Sequence, residues 1–315
     1  MARLLVALLV VVAETTFAQY PARPVRLLVP NPPGGATDTL ARVFAPKLGE
    51  ALGQPVIVDN RPGSNGNVAM EAAARATPDG HTLLLCADAQ IVIGPHLYAK
   101  MPLDTLKDLE PIASLVSTQM VLSASPALPI TNFKEFIEYA RRAQPPLAYA
   151  SIGNGSQHHL VMEMLKARAG IDLLHVPFKG GGPATVAILG GDVSVMFGGN
   201  SVAGHIKAGR LRALAVAGKR SASYPDLPRL ADFYPDLEVT PWLGLFGPAG
   251  LPPTVLSKLR AETARLLADA DLQGKIRNLG GLDPYVTTPD EFAAQIRAEY
   301  ARYAQVVKAA GAKVD

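Results

Sequence analysis

The chain has 315 residues, 30 Lys+Arg against 27 Asp+Glu, and 49 % hydrophobic side chains. That balance excludes a disordered chain, which needs low hydrophobicity and high net charge. The lone cysteine, Cys86, excludes a disulfide scaffold. A formal net charge of +3 from scattered basic residues leaves no footprint for nucleic acid. The length holds one large or two medium domains.

The first segment reads as an address. Arg3 supplies a positive charge, residues 4–13 form an apolar run, and Thr16-Phe17-Ala18 places small residues where a signal peptidase reads. This predicts an export signal over residues 1–18 with cleavage after Ala18. The apolar run is far short of the roughly 20 residues that span a bilayer. An exported, periplasmic protein is therefore expected.

The body alternates strand and helix. A β-rich run at 25–29 meets the stiff turn Pro30-Asn31-Pro32-Pro33-Gly34-Gly35. Leu40, Val43, Phe44, Leu48 and Leu52 then fall at helical spacing, with Gly53 as the C-cap and Pro46 expected to kink the helix. A strand follows at 56–58, then an alanine-rich helix from the Gly63-Ser64-Asn65-Gly66 turn through Ala76, then a strand at 82–86. The pattern returns with strands at 147–150, 173–176, 193–197 and 211–217 and helices at 157–169, 183–189 and 201–208. Thr288-Pro289-Asp290-Glu291 is a capping box for a last helix reaching about Lys308.

Such alternation predicts an α/β protein with mixed, mostly parallel sheets flanked by helices. Pro-rich segments at 102–132 and 225–253 mark two crossings between units. The expected division is residues 19–120 plus 246–315 in domain 1 and 121–245 in domain 2.

Glycine-rich turns lead into helices at residues 33–38, 153–157 and 179–183. A helix N-terminus leaves backbone N–H groups free and carries partial positive charge, so it suits a carboxylate or phosphate. Thr37 and Asp38 serve equally well as helix caps. No phosphate-binding P-loop, complete dinucleotide fingerprint, G-x-S-x-G elbow or H-E-x-x-H motif is present. His158 and His159 are adjacent and point about 100° apart on a helix, so they do not chelate one metal together. Cys86, ending an apolar strand, reads as a buried small hydrophobe. No cofactor, metal or catalytic residue is expected.

The opening Tyr20-Pro21, Pro24-Val25-Arg26-Leu27 and Pro30 through Asp38 resembles the periplasmic substrate-binding proteins of tripartite tricarboxylate transporters, the Bug receptors. Further segments agree in order: Val58-Asp59-Asn60-Arg61-Pro62-Gly63, Thr77-Pro78-Asp79-Gly80, Tyr149-Ala150-Ser151-Ile152-Gly153-Asn154-Gly155-Ser156, His175-Val176-Pro177-Phe178-Lys179-Gly180 and Trp242-Leu243-Gly244-Leu245-Phe246-Gly247. The resemblance covers nearly all of the mature chain. It implies a two-domain periplasmic-binding-protein fold, type II-like, with one ligand in the cleft between domains.

The same resemblance implies a receptor that captures a small organic carboxylate and delivers it to transporter membrane subunits. The alternatives are a ligand sensor for a signalling partner such as a sensor kinase, or a secreted hydrolase using the same cleft. A monomer is expected. By position, the resemblance places Gly34, Gly35, Ala36 and Asp38 on the first ligand turn, with Ser64 and Asn65 completing that wall. Ser151, Gly153, Asn154, Gly155 and Ser156 form the second turn. Asn31, Phe178, Gly198 and Asn200 are pocket positions where this chain departs from the family pattern. Gly198-Gly199-Asn200 stands where an Asp is usual, a hint toward a plain organic acid rather than one bearing an ammonium group.

Overall fold

Val25–Val29 is buried at every position except Arg26, the signature of a strand covered on both faces. In the computed structural model, which describes residues 20–220 and 224–314, this strand, β1, lies inside a sheet. The expected export signal, residues 1–18, lies outside the described residues. The chain continues through α1 (Ala36–Leu52), β2 (Val56–Asn60), α2 (Asn67–Ala74) and β3 (Thr82–Ala87). A π-helical turn and the short α3 (Gly94–Leu97) lead to β4 (Leu109–Thr118). Next come β5 (Val121–Ala124), α4 (Phe133–Arg142), β6 (Leu147–Ser151), α5 (Gln157–Ala169) and β7 (Leu173–Pro177). They are followed by α6 (Gly181–Gly190), β8 (Val195–Gly198), α7 (Asn200–Lys207) and β9 (Arg212–Val216). The chain returns through β10 (Trp242–Pro248), α8 (Pro253–Leu267), α9 (Ala270–Asn278), β11 (Leu282–Pro284) and α10 (Pro289–Ala310).

Two sheets result, ordered β11-β4-β10-β3-β1-β2 and β7-β6-β8-β5-β9. Strand–helix–strand crossovers make β1 parallel to β2 and β3, and β6 parallel to β7 and β8. The crossing strands do the opposite. β10 is antiparallel to β3 and β4, β11 to β4, and β5 to β8 and β9. The sheets are thus more evenly mixed than the alternating pattern suggests, because strands entering from the other unit are free of the crossover rule.

One face of the first sheet buries Leu27 and Leu83 against Leu40, Phe44 and Leu48 of α1 and Leu259 of α8. The other face packs Leu28, Leu84 and Cys86 against Met70, Phe292 and Tyr303, and this cluster also takes in Leu160 of α5. Hence α10 and α5 join the two units. Burial raises the Cys86 thiol pKa well above its ordinary value. In the second unit, Phe133, Phe136, Tyr149 and Phe197 pack on one face, and Ala184, Ile188 and Val202 on the other.

Helix ends follow the local signals. In the Thr288 capping box, the Thr288 N–H donates to Glu291 at 2.8 Å and the Glu291 N–H donates back to Thr288 Oγ1 at 3.2 Å. Helix α1 runs unbroken through Pro46. The lost N–H bond there is outweighed by burial of Phe44, Ala45 and Leu48 against the sheet. Helix α2 stops at Ala74 and α10 extends to Ala310, each two residues from the sequence reading.

Candidate functional site

Helices α1 and α5 both begin on glycine-rich turns, and both beginnings open on one cavity of about 520 Å³. At α1, Gly34 takes the left-handed φ of +91° that lets the chain turn sharply into the helix. Asp38, 1 % exposed, braces this turn from beneath. It accepts from the Gly34 N–H at 2.8 Å, Arg42 Nε at 2.9 Å and Asn60 Nδ2 at 2.9 Å. Burial alone would raise the Asp38 pKa, but the bonds from Arg42, Gly34 and Asn60 outweigh it and hold the pKa below the ordinary value. Ala36 and Thr37, at the N-terminus of α1, face the cavity. Beside them Ser64 and Asn65 take φ of 45° and 54°, two consecutive left-handed non-glycine residues. Such strain clusters at functional sites. Asn65 lines the cavity and hydrogen-bonds the Tyr98 phenol.

At α5 the turn Gly153–Ser156 closes with the Ser156 N–H donating to Gly153 O at 3.1 Å. Ser156 caps the helix by accepting from the His159 N–H at 3.3 Å. The Gly155 N–H is already spent on His159 Nδ1 at 3.1 Å. It is therefore the first amides of the helix, at Gln157 and His158, that are available to a ligand. A Cβ at Gly155 would fall 2.6 Å from Leu97 Cδ2, so this glycine permits close contact with α3 of the other unit. The end of the chain crosses here too. The Val314 N–H donates to Leu97 O at 3.1 Å, Val314 pairs with Tyr98, and Asn154 Nδ2 donates to Lys313 O at 3.3 Å.

The cavity therefore gathers Ala36, Asn65, Gly153, Asn154, Gly155 and Ser156 from the expected set. The other expected positions fall outside its lining. Gly34, Gly35 and Asp38 form and brace the first turn. Ser64 precedes Asn65 in the strained turn. The Asn31 carbonyl accepts from Asn60 at 3.0 Å. Phe178 packs beside Ala150 and Ile188, Gly198 is buried in β8 with Val202 against it, and Asn200 opens α7. The third glycine-rich turn, before α6, also lies away from this cavity.

Ser151 is fully buried, with Oγ 2.7 Å from His175 Nε2. The sequence shows no nucleophile–base pair, yet the fold makes this one. The same Oγ also bonds the Gly153 carbonyl at 3.0 Å and the Gly153 N–H at 3.2 Å, outside the cavity lining. That serine holds the turn from beneath.

The lining also includes Asp88, Leu97, Gln157, His158, Trp242 and Val314, which motif reading did not select. An acid directly after the buried run Thr82–Ala87 is the signal that could have found Asp88. Val314 has none, because only the folded tail brings it back. Burial pulls the His158 pKa down to about 4, so this ring is neutral at pH 7. Among the described residues no Lys or Arg lines the cavity, and no group of three His, Cys, Asp or Glu could hold a metal ion. What the cavity offers an anion is amide donors at two helix ends. Another groove of similar volume, between α5 and α10, presents helix flanks with Lys166 already paired to Glu163 at 3.0 Å. It has no such donors.

Residues 40–312 match the model of the tripartite tricarboxylate transporter family receptor. Protein BugT of Bordetella pertussis is 35 % identical over 308 residues, covering 96 % of this chain and 94 % of BugT. A Rhodopseudomonas palustris protein solved with adipate is 31 % identical with a TM-score of 0.78, covering 93 % of this chain and 99 % of that one. MatC from the same organism, solved with bound malate, is 31 % identical with a TM-score of 0.73, covering 91 % of this chain and all of MatC, 100 %.

Proposed function

The chain belongs to the receptor family of tripartite tricarboxylate transporters, and we propose that it captures a small carboxylate in the α1–α5 cavity and delivers it to membrane transporter subunits. The observation that carries this reading is the convergence of two helix N-termini on one cavity without a basic side chain. Amide donors at Ala36, Thr37, Gln157 and His158 hold the anion. Each charge-assisted bond contributes about 1.5–3 kcal/mol, so three or four together reach about 8 kcal/mol before ordering costs, the scale of micromolar affinity. Adipate and malate in the two related structures support a carboxylate as the ligand.

Gly34, Gly35, Asp38, Asn31 and Ser64 act by shaping the first turn, and Ser151 by shaping the second. The protein does no chemistry on its ligand. The expected division sets residues 19–120 with 246–315 against residues 121–245; because Trp242–Leu245 pair with β3 and β4, we draw the return boundary just ahead of Trp242. A ligand touching both units favours the closed arrangement through that differential affinity. Residues 1–18 direct export to the periplasm, and intact mass of periplasmic material should begin at Gln19.

Trp242 is the sole tryptophan and lines the cavity, so its fluorescence serves as the binding signal. Titration with a series of mono- and dicarboxylates, with and without chelator, should give saturable change for at least one acid, independent of chelator. A response to ATP or zinc and to no acid overturns the reading.

A further inference from the structure

Among the described residues Asp88 is the only carboxyl group in the cavity lining, and it is 2 % exposed. Its Oδ1 accepts from the Ala89 N–H at 2.7 Å, its Oδ2 accepts from Gln157 Nε2 at 2.6 Å, and the Trp242 N–H also donates to it. A carboxylate has about four lone-pair sites, so three donors leave one free. Every partner is a donor, which fits the ionised form, but every partner is neutral. The charged influence on it is a second, half-buried acid, Glu299, itself bound to Trp242 Nε1 at 2.8 Å. A buried carboxylate is stable only when a cation or a full set of hydrogen bonds compensates it. Here the set is one short and the cation is missing. Burial first, then Glu299, pushes the Asp88 pKa up to about 8.

The other walls settle what remains of the ligand. Ile93, Leu97, Leu243 and Val314 present apolar surface, and Ala36 and Thr37 present amides. A second carboxylate on the ligand could sit here only against protonated Asp88, since two ionised carboxylates do not share a low-dielectric site. A protonated amine would meet Asp88 as the missing partner.

We propose that Asp88 selects the ligand class: the receptor takes a zwitterionic amino acid, with its ammonium group on Asp88, its carboxylate on the helix-end amides and its apolar body against Leu97, Leu243 and Val314. This rests on the carboxylate reading above and narrows it. It also reverses the sequence hint drawn from Gly198-Gly199-Asn200, since the acid of this cavity comes from the end of β3 instead.

Matched ligands test it. Hexanoate, 6-aminohexanoate and adipate share a six-carbon chain and differ only at the far end. Leucine and 4-methylpentanoate differ only in the α-amino group. In titrations followed by Trp242 fluorescence and calorimetry, the aminated member of at least one pair should bind at least tenfold tighter than its partner, and more tightly than adipate. Asp88→Asn, which keeps the shape and one acceptor oxygen, should reduce that ratio to about one while its melting curve stays cooperative. If wild type binds hexanoate, adipate or 4-methylpentanoate as tightly as the aminated ligands, the selection proposal fails and the carboxylate reading stands. The same follows if Asp88→Asn keeps the preference. If no acid of either series binds, both fail.

Discussion

His159 and His175 stack face to face, with 3.9 Å between ring centroids and 4° between planes. One ring belongs to α5 and the other to β7, and between them they support both ends of the ligand turn. His159 Nδ1 accepts from the Gly155 N–H, and His175 Nε2 lies against Ser151 Oγ. Tyr149 continues the stack beneath His175, 4.9 Å away, with its hydroxyl on Glu163 at 2.6 Å.

Both imidazoles are therefore built to be neutral. Burial, then the neighbouring His159, pulls the His175 pKa down to about 4, and burial lowers that of His159. A folded pKa below the unfolded value of about 6.5 means the unfolded chain binds more protons in between, so stability falls as pH drops from 6.5 toward 4. Asp88 and Glu299, whose pKa values are raised, contribute with the opposite sign over the same range. The informative quantity is thus a difference between proteins. His175→Gln should flatten the fall of melting temperature between pH 6.5 and 4 relative to wild type, by calorimetry. An unchanged slope would remove His175 from this account.

The two ligand turns should answer differently to a methyl group. Gly155 has φ +71° and its Cβ would collide with Leu97, whereas Gly35 has φ −78° and only Pro32 O at 3.8 Å. Gly155→Ala should weaken ligand binding at least tenfold, about 1.4 kcal/mol, through loss of close contact between the units. Gly35→Ala should change folding stability by less than about 1 kcal/mol. Denaturant curves and ligand titrations on the two variants separate these effects.

Removing the Asp38 carboxylate leaves the Gly34 N–H without its acceptor and leaves Asn60 Nδ2 with the Asn31 carbonyl alone. Arg42 is half-exposed and recovers its loss in water. Asp38→Ala should therefore cost about 1–3 kcal/mol, and Asp38→Asn less, because one acceptor oxygen remains. Chemical denaturation measures both, and a cost below 0.5 kcal/mol, on the order of an ordinary surface change, would contradict the bracing role.

The tail strap makes a further expectation. Ending the chain at Ala312 removes the Val314–Leu97 bond, the Asn154–Lys313 bond and an apolar wall of the cavity. Ligand affinity should drop several-fold while the melting temperature of the ligand-free protein moves little. An unchanged affinity would show that the strap is incidental to capture.

The sequence by itself determined the α/β alternation, the glycine-rich helix starts and the order of family motifs, because these rest on local periodicity and on glycines that take φ near +71° at Gly155 or +91° at Gly34 without a Cβ penalty. The glycine-rich turns together with the family resemblance pointed to six residues that line the cavity, Asn65 through the resemblance alone. Tertiary structure decided the rest. Asp38 could be ligand or brace until Asn60, twenty-two positions away, was seen to donate to it. Asp88 acquires its meaning only when Gln157 from the other unit and Trp242 from β10 surround it. Ser151 and His175 look separate in sequence and meet because β6 and β7 pair in parallel. Val314 becomes a cavity wall only when the tail lies beside Tyr98. Burial and charge compensation are sums over distant neighbours, and a local reading of residue types does not contain those sums.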